Sequence, residues 1–128
     1  MKERIQKEIE MLRLKYATLQ HGANYDWVMI PDFVLPEGWN QKQTKLVFII
    51  PPTYPHTAPD NFYVETGLRL ANGNQQAAYS EGGGVPLGGT WGCFSWHPEK
   101  WQASDKIEEG DNLLTFMKSV NIRLRELS

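Results

Sequence analysis

One cysteine, Cys93, is all the chain contains, so no internal disulfide can form. Such usage points to a reducing compartment, or at least to no dependence on an oxidising one. Long hydrophobic runs are absent too: the longest, Leu46 to Pro52, falls far short of the ~20 residues a membrane span requires. The start at Met1 is charged and amphipathic, without the apolar stretch and small-residue cleavage site of a secretory signal. A soluble, cytoplasmic protein is expected. Charge of one sign is lacking as well: 13 Lys and Arg against 15 Asp and Glu leave a net charge of −2, with no basic field to neutralise phosphates. Nucleic acid is excluded as a main partner. Three histidines, His21, His56 and His97, offer only one close pairing with Cys93, and a structural zinc needs four ligands. Neither a metal nor a cofactor is expected.

What is present suffices for a core. The 128 residues are 41% hydrophobic and 22% charged, the composition of one globular domain spanning 1–128. Charge is mildly uneven, with five basic and three acidic groups in residues 1–20 but three and six in residues 21–90. Ile5, Ile9, Leu12, Tyr16 and Leu19 form one apolar stripe at helical spacing, which His21-Gly22 ends. Tyr25 to Leu35, broken by Pro31-Asp32, and Thr44 to Ile50 read as strands. Four prolines between Pro51 and Pro59 force a rigid extended corner before a short strand, Asn61 to Glu65.

Residues 66–92 show the least regular pattern, with Asn72-Gly73-Asn74 as a turn and six glycines from Gly82 to Gly92. So long a loop argues for function. Asp111 reads as an N-cap, and Leu113, Leu114, Met117, Val120 and Leu124 trace the inward face of a closing helix that runs almost to Ser128. Helix, antiparallel meander, long loop and helix make an α+β fold.

The glycine run GGGVPLGG has no Gly-Lys-Ser/Thr behind it, so it is a flexible surface loop and no phosphate cradle. Gly92-Cys93-Phe94-Ser95-Trp96 is superficially like a papain-type site, but that chemistry needs a distant later histidine, and none lies beyond His97. A lone cysteine is most often a buried core residue. Here, however, it follows a glycine-rich loop and is flanked by Trp91, Trp96 and Trp101. An accessible thiolate in such a setting can carry an acyl group by thioester exchange, with no separate base obligatory.

On these residues the chain resembles the ubiquitin-conjugating enzymes. Tyr54-Pro55-His56-Thr57-Ala58-Pro59 matches their Tyr-Pro-x-x-x-Pro corner, and Trp101 lies eight positions beyond Cys93, as their tryptophan does beyond the catalytic cysteine. The segment Thr53 to Asp60, and a histidine four after the cysteine, are similar to the conjugating enzyme for the ubiquitin-fold modifier. The compact form, without the family's last helices, resembles divergent bacterial proteins of prokaryotic conjugating-enzyme family E.

The resemblance implies a ubiquitin-conjugating fold in which Cys93 lies in the long active-site loop and accepts a ubiquitin-like C-terminus as a thioester. Tyr54, Pro55 and Pro59 would build the rigid corner, and Trp101 would pack under the loop. The partners implied are an activating enzyme, docked by Lys2, Arg4, Lys7 or Arg13 of the first helix, a ubiquitin-like protein and a target protein. The family's His-Pro-Asn is absent, since Val85 stands in its place and the nearby His97-Pro98 follows the cysteine. Oxyanion donors would then be the amides from Gly92 to Phe94 or the His97 imidazole, and Asp105 would position or deprotonate the incoming amine. The alternative is a catalytically inactive module that binds a ubiquitin-like protein or scaffolds its activating enzyme.

Overall fold

A computed structural model describes residues 2–127. Helix α1 (Lys2–Lys15) is followed by strands β1 (Gln20–His21), β2 (Trp27–Val34), β3 (Gln43–Ile49), β4 (Phe62–Glu65), β5 (Tyr79–Glu81) and β6 (Trp91–Phe94). A 3-10 turn (Ile107–Glu109) and helix α2 (Leu113–Arg125) complete an α+β fold. The six strands form one antiparallel sheet in the order β1-β2-β3-β4-β6-β5.

Helix α1 buries Ile5, Ile9 and Leu12, the start of the apolar stripe. It stops at Lys15, short of Leu19, where the stripe had placed its end. Leu19 donates its amide to Tyr16 O at 3.1 Å, closing a turn, and is still buried. A residue can thus share a helix's apolar phase and reach the core from the turn beyond it. Gly22 follows β1 because a Cβ there would lie 2.3 Å from the Asp26 carboxylate and 2.6 Å from the Trp27 indole.

Strand β2 carries a device that spacing alone obscures. Ile30 pairs with Leu46 and Phe33 with Thr44, so Pro31-Asp32 adds one residue to β2 and the inward phase shifts. Val28 and Ile30 before the bulge, and Phe33 and Leu35 after it, are consequently all buried. Proline suits the position, because a bulge needs no ladder donor there.

Leu46 and Phe48 of β3, Phe62 and Val64 of β4, and Phe94 of β6 face the helices. Phe62 and Phe94 stack at 4.9 Å, and Phe48 meets Phe116 of α2 at 5.0 Å. Trp39 packs on Phe94 and donates its indole N–H to Leu124 O at 2.9 Å. Both helices therefore cover one face of the sheet, and the other face carries none.

The segment 66–92 is less irregular than its composition suggested. Tyr79–Glu81 pairs with β6 as an edge strand, and Tyr79 packs edge-on against Phe94. A strand of three residues is too short to register as an alternating pattern. The cap of α2 is Asn112, and Asp111 is not the N-cap: the Asn112 side chain accepts from the amides of Leu114 and Thr115, and Thr115 Oγ1 in turn accepts from the Asn112 amide. Asp111 instead takes the Gln102 amide at 2.8 Å and the Thr115 hydroxyl at 3.0 Å. Helix α2 ends at Arg125 rather than near Ser128, which lies outside the described residues.

Glu8, only 1% exposed, joins three parts of the chain. Its Oε1 accepts the Tyr54 hydroxyl and the Leu113 amide, the latter at 2.7 Å, while Oε2 takes Arg4 Nε at 2.7 Å. Glu8→Ala would leave a guanidinium, a phenol and a helix-start amide without their acceptor. We expect a loss of about 3–5 kcal/mol in urea unfolding, with Tyr54→Phe losing distinctly less.

Candidate active site

Cys93 lies inside β6, directly opposite Tyr63 of β4 on one side and Ser80 of β5 on the other. This corrects its expected place in the long loop: pairing of β5 with β6 draws the end of that loop into the sheet. Alternation then sets the direction of the thiol. Phe94 points into the core, and a Cβ on Gly92 would lie 2.2 Å from the Tyr79 ring, so these two share the inner face. Cys93 therefore faces out on the helix-free side, with Tyr63 and Ser80 as same-face neighbours, and is half-buried.

The chain leaving β6 is clamped to the start of β4. Asn61, at φ +63°, donates its amide to Trp96 O at 2.7 Å and accepts the Trp96 amide on Oδ1 at 3.0 Å. Trp96 also donates its indole N–H to Ser119 of α2 at 3.1 Å. The residues flanking this clamp, Asp60 and His97, meet through Asp60 Oδ1 and His97 Nδ1. With 60% and 70% of the side chains exposed, the pair adds little stability. Its worth is geometric, because both backbones are already held and the imidazole is kept against Asp60, whose carboxylate acts on the Cys93 thiol.

The remaining expected residues fall into distinct places. Trp101 donates its indole N–H to Pro55 O at 2.8 Å and lies 6.1 Å from the Tyr54 ring, so it packs on the proline corner. Pro59 is buried at the end of that corner, one residue before Asp60. Asp105 is exposed beside Ser104, whose carbonyl takes the Arg4 guanidinium. Among the described residues no hydrogen bond or ion pair joins it to Cys93, His97 or Asp60.

Of the α1 cations, Lys2 and Lys7 are exposed. Arg13 is tied to Leu19 O at 3.2 Å and to Glu10 at 3.6 Å. Arg4 is turned inward onto Glu8, with 12% of its side chain exposed, and presents little charge to a partner. The amides from Gly92 to Phe94 are unavailable as oxyanion donors, since β6 has a strand on both sides and they belong to its ladders.

Two residues of the site escaped the sequence reading, Asp60 and Tyr63. Asp60 follows the proline corner with no spacing to tie it to Cys93, and Tyr63 is identified only by the β4–β6 register.

The family model described as prokaryotic E2 family E matches residues 2–126. The chain belongs to that family. No curated protein and no solved structure matches it. For a prokaryotic E2-like chain a conjugating-enzyme type of role follows in outline, with a ubiquitin-like modifier and an activating enzyme as the general kinds of partner. Among the described residues no group of three or more His, Cys, Asp or Glu is placed to hold a metal, and no helix is long and apolar enough to cross a membrane.

Burial pushes the Cys93 thiol above the ordinary cysteine range, and the Asp60 carboxylate pushes it further in the same direction. Both disfavour the thiolate, so alkylation of this E2-like protein by iodoacetamide should rise with pH to a midpoint above that of a free cysteine. Asp60→Asn removes the second cause and leaves the first. Its midpoint should move down but stay above the free-cysteine value, and a pH series of alkylation rates in the two proteins measures the shift.

Proposed function

We propose that the protein is a ubiquitin-like modifier conjugating enzyme working through a thioester on Cys93. The observation that carries this reading is the outward thiol on the helix-free face of the sheet, with the Asp60-held imidazole of His97 beside its strand. Family membership supports the same reading. In the loading step Cys93 Sγ, as thiolate, attacks the carbonyl carbon of the thioester on the activating enzyme. The new S–C bond forms, the old one breaks, and the activating enzyme's thiolate leaves and takes up a proton. In the second step a target amine attacks the same carbon, the C–N bond forms, and Cys93 departs as thiolate while the amine gives its proton to a base.

His97 is assigned to the neighbourhood of the oxyanion, and Asp105 to the approach of the amine. Lys2 and Lys7 are the exposed cations on α1 with which an activating enzyme would dock, and the acidic counterpart belongs to that partner. The rival reading, an inactive scaffold for a ubiquitin-like protein or its activating enzyme, draws support from the missing His-Pro-Asn and from a thiol that resists ionisation.

Incubation with the cognate activating enzyme, ATP and modifier, read on a non-reducing gel, separates the two. A thiol-sensitive adduct is expected, lost in Cys93→Ala and thiol-resistant in Cys93→Ser. His97→Ala and Asp105→Asn are expected to slow discharge to a lysine amine by at least tenfold, the lower end of general acid–base and oxyanion effects being about 10²-fold for a fully engaged group. Binding of the partners without any adduct would establish the scaffold instead, and normal discharge by both variants would remove His97 and Asp105 from the mechanism.

A further inference from the structure

Acyl transfer at Cys93, the reading just given, passes through a tetrahedral intermediate whose oxygen gains a full negative charge, and a donor is needed there. The family's asparagine is missing, and the amides of β6 are committed to its ladders. We infer that Tyr63 is a catalytic residue, donating its phenolic hydrogen to the oxyanion that forms on the carbon bonded to Cys93 Sγ.

Three observations converge on this ring. Tyr63 is the cross-strand partner of Cys93, on the same outer face, where opposed Cβ atoms lie about 5 Å apart. Its orientation is set from above by the glycine-rich segment: a Cβ on Gly83, at φ +150°, would lie 2.6 Å from Tyr63 Cε2 and 2.9 Å from Cδ2. Gly83 backbone is therefore packed on the ring, and any other residue there would displace it. Among the described residues no hydrogen bond engages the Tyr63 hydroxyl, which leaves the donor unspent.

Burial, followed by the neighbouring Cys93 and Asp60, raises the phenol above its usual value. Each of these causes favours the protonated phenol, the form a donor needs. Ser80, the other neighbour of Cys93, is an exposed short side chain on a three-residue edge strand, and nothing comparable fixes its hydroxyl.

The bond changes are those of addition and collapse. Sγ adds to the carbonyl carbon, and the carbonyl π pair moves onto oxygen, where the Tyr63 O–H donates a hydrogen bond without transferring its proton. When C=O re-forms, the pair returns and the leaving group departs.

A partner-free comparison tests this. Acylation of Cys93 by p-nitrophenyl acetate passes through such an oxyanion, whereas alkylation by iodoacetamide does not, and Cys93→Ala supplies the background for both. Tyr63→Phe is expected to slow acylation ~10-fold or more, scaled down from the roughly 10²–10³-fold of a complete oxyanion site, while alkylation changes less than about twofold. Gly83→Ala, which keeps the hydroxyl but displaces the ring, should do the same, and Ser80→Ala should alter neither rate.

Acylation and alkylation that fall together in Tyr63→Phe, or acylation that does not fall, would overturn the inference, as would a wild-type Cys93 that the ester does not acylate. Because no activating enzyme or modifier is used, the outcome is independent of the gel assay for conjugation. A protein that acylates through Tyr63 but forms no adduct with its partners would sink the conjugation reading and leave this one standing.

Discussion

The buried carboxylate of Glu8 is the point on which the arrangement of the chain turns. Placed on the inward face of α1, it receives Arg4 from its own helix, the Tyr54 hydroxyl from the proline corner and the first amide of α2. A negative charge at a helix start is favoured by the unpaired amides and the helix dipole there. The three parts it joins have no contiguous backbone and share no sheet. Once Tyr54 is anchored, the rest of the corner follows, with Trp101 bonded to Pro55 O. Pro59, Asp60 and Asn61 are then delivered to the start of β4 in a fixed place. From there Asn61 grips Trp96, and Asp60 meets His97. A hydrogen-bonded carboxylate at the helix-side core is thus linked through the proline corner to the contact between Asp60 and His97.

The sheet itself separates the core side chains from the neighbours of the thiol by alternation. Phe62, Val64, Gly92 and Phe94 build the inner face, while Tyr63, Ser80 and Cys93 meet on the outer one. Strands hold side chains more tightly than loops, so a thiol placed in a strand has a defined direction and defined neighbours. The arrangement also has a cost. Partial burial and the Asp60 carboxylate both favour the neutral thiol, so nucleophilicity is restrained until a partner or base changes the surroundings. Such restraint slows reaction of the free thiol with stray electrophiles. The glycine-rich segment after β5 contributes through close approach, since Gly83 lies against Tyr63 where a side chain would not fit.

Much of the architecture was legible from residue order. The stripe from Ile5 to Leu12, the apolar β3 run, the proline corner and the inward face of α2 all rest on local periodicity or on the fixed geometry of proline. The family followed from two motifs, the Tyr54–Pro59 corner and the Cys93–Trp101 spacing, and the match over residues 2–126 bears it out. Where the reading departed from the fold, contacts distant in sequence outweighed local pattern. Leu19 is apolar in helical phase but is buried from a turn, and β5 is too short to alternate. At the start of α2, Asn112 caps the helix while the neighbouring Asp111 is occupied with Gln102 and Thr115.

Local chemistry, written in the order of residues, was enough to settle the kind of fold and the family, and to single out the one cysteine sulfur in the chain. It could not settle which face that sulfur looks out from, nor what surrounds it. Those depend on strand register, and register is a relation between segments that side-chain volume and ladder hydrogen bonds fix only after the chain has closed on itself. Asp60 and Tyr63 are brought to Cys93 by the pairing of β4 with β6, and Arg4 is withdrawn from the surface by a carboxylate one helical turn away. Pairing between strands, and the burial of one charge against another, have no signature in spacing along the chain.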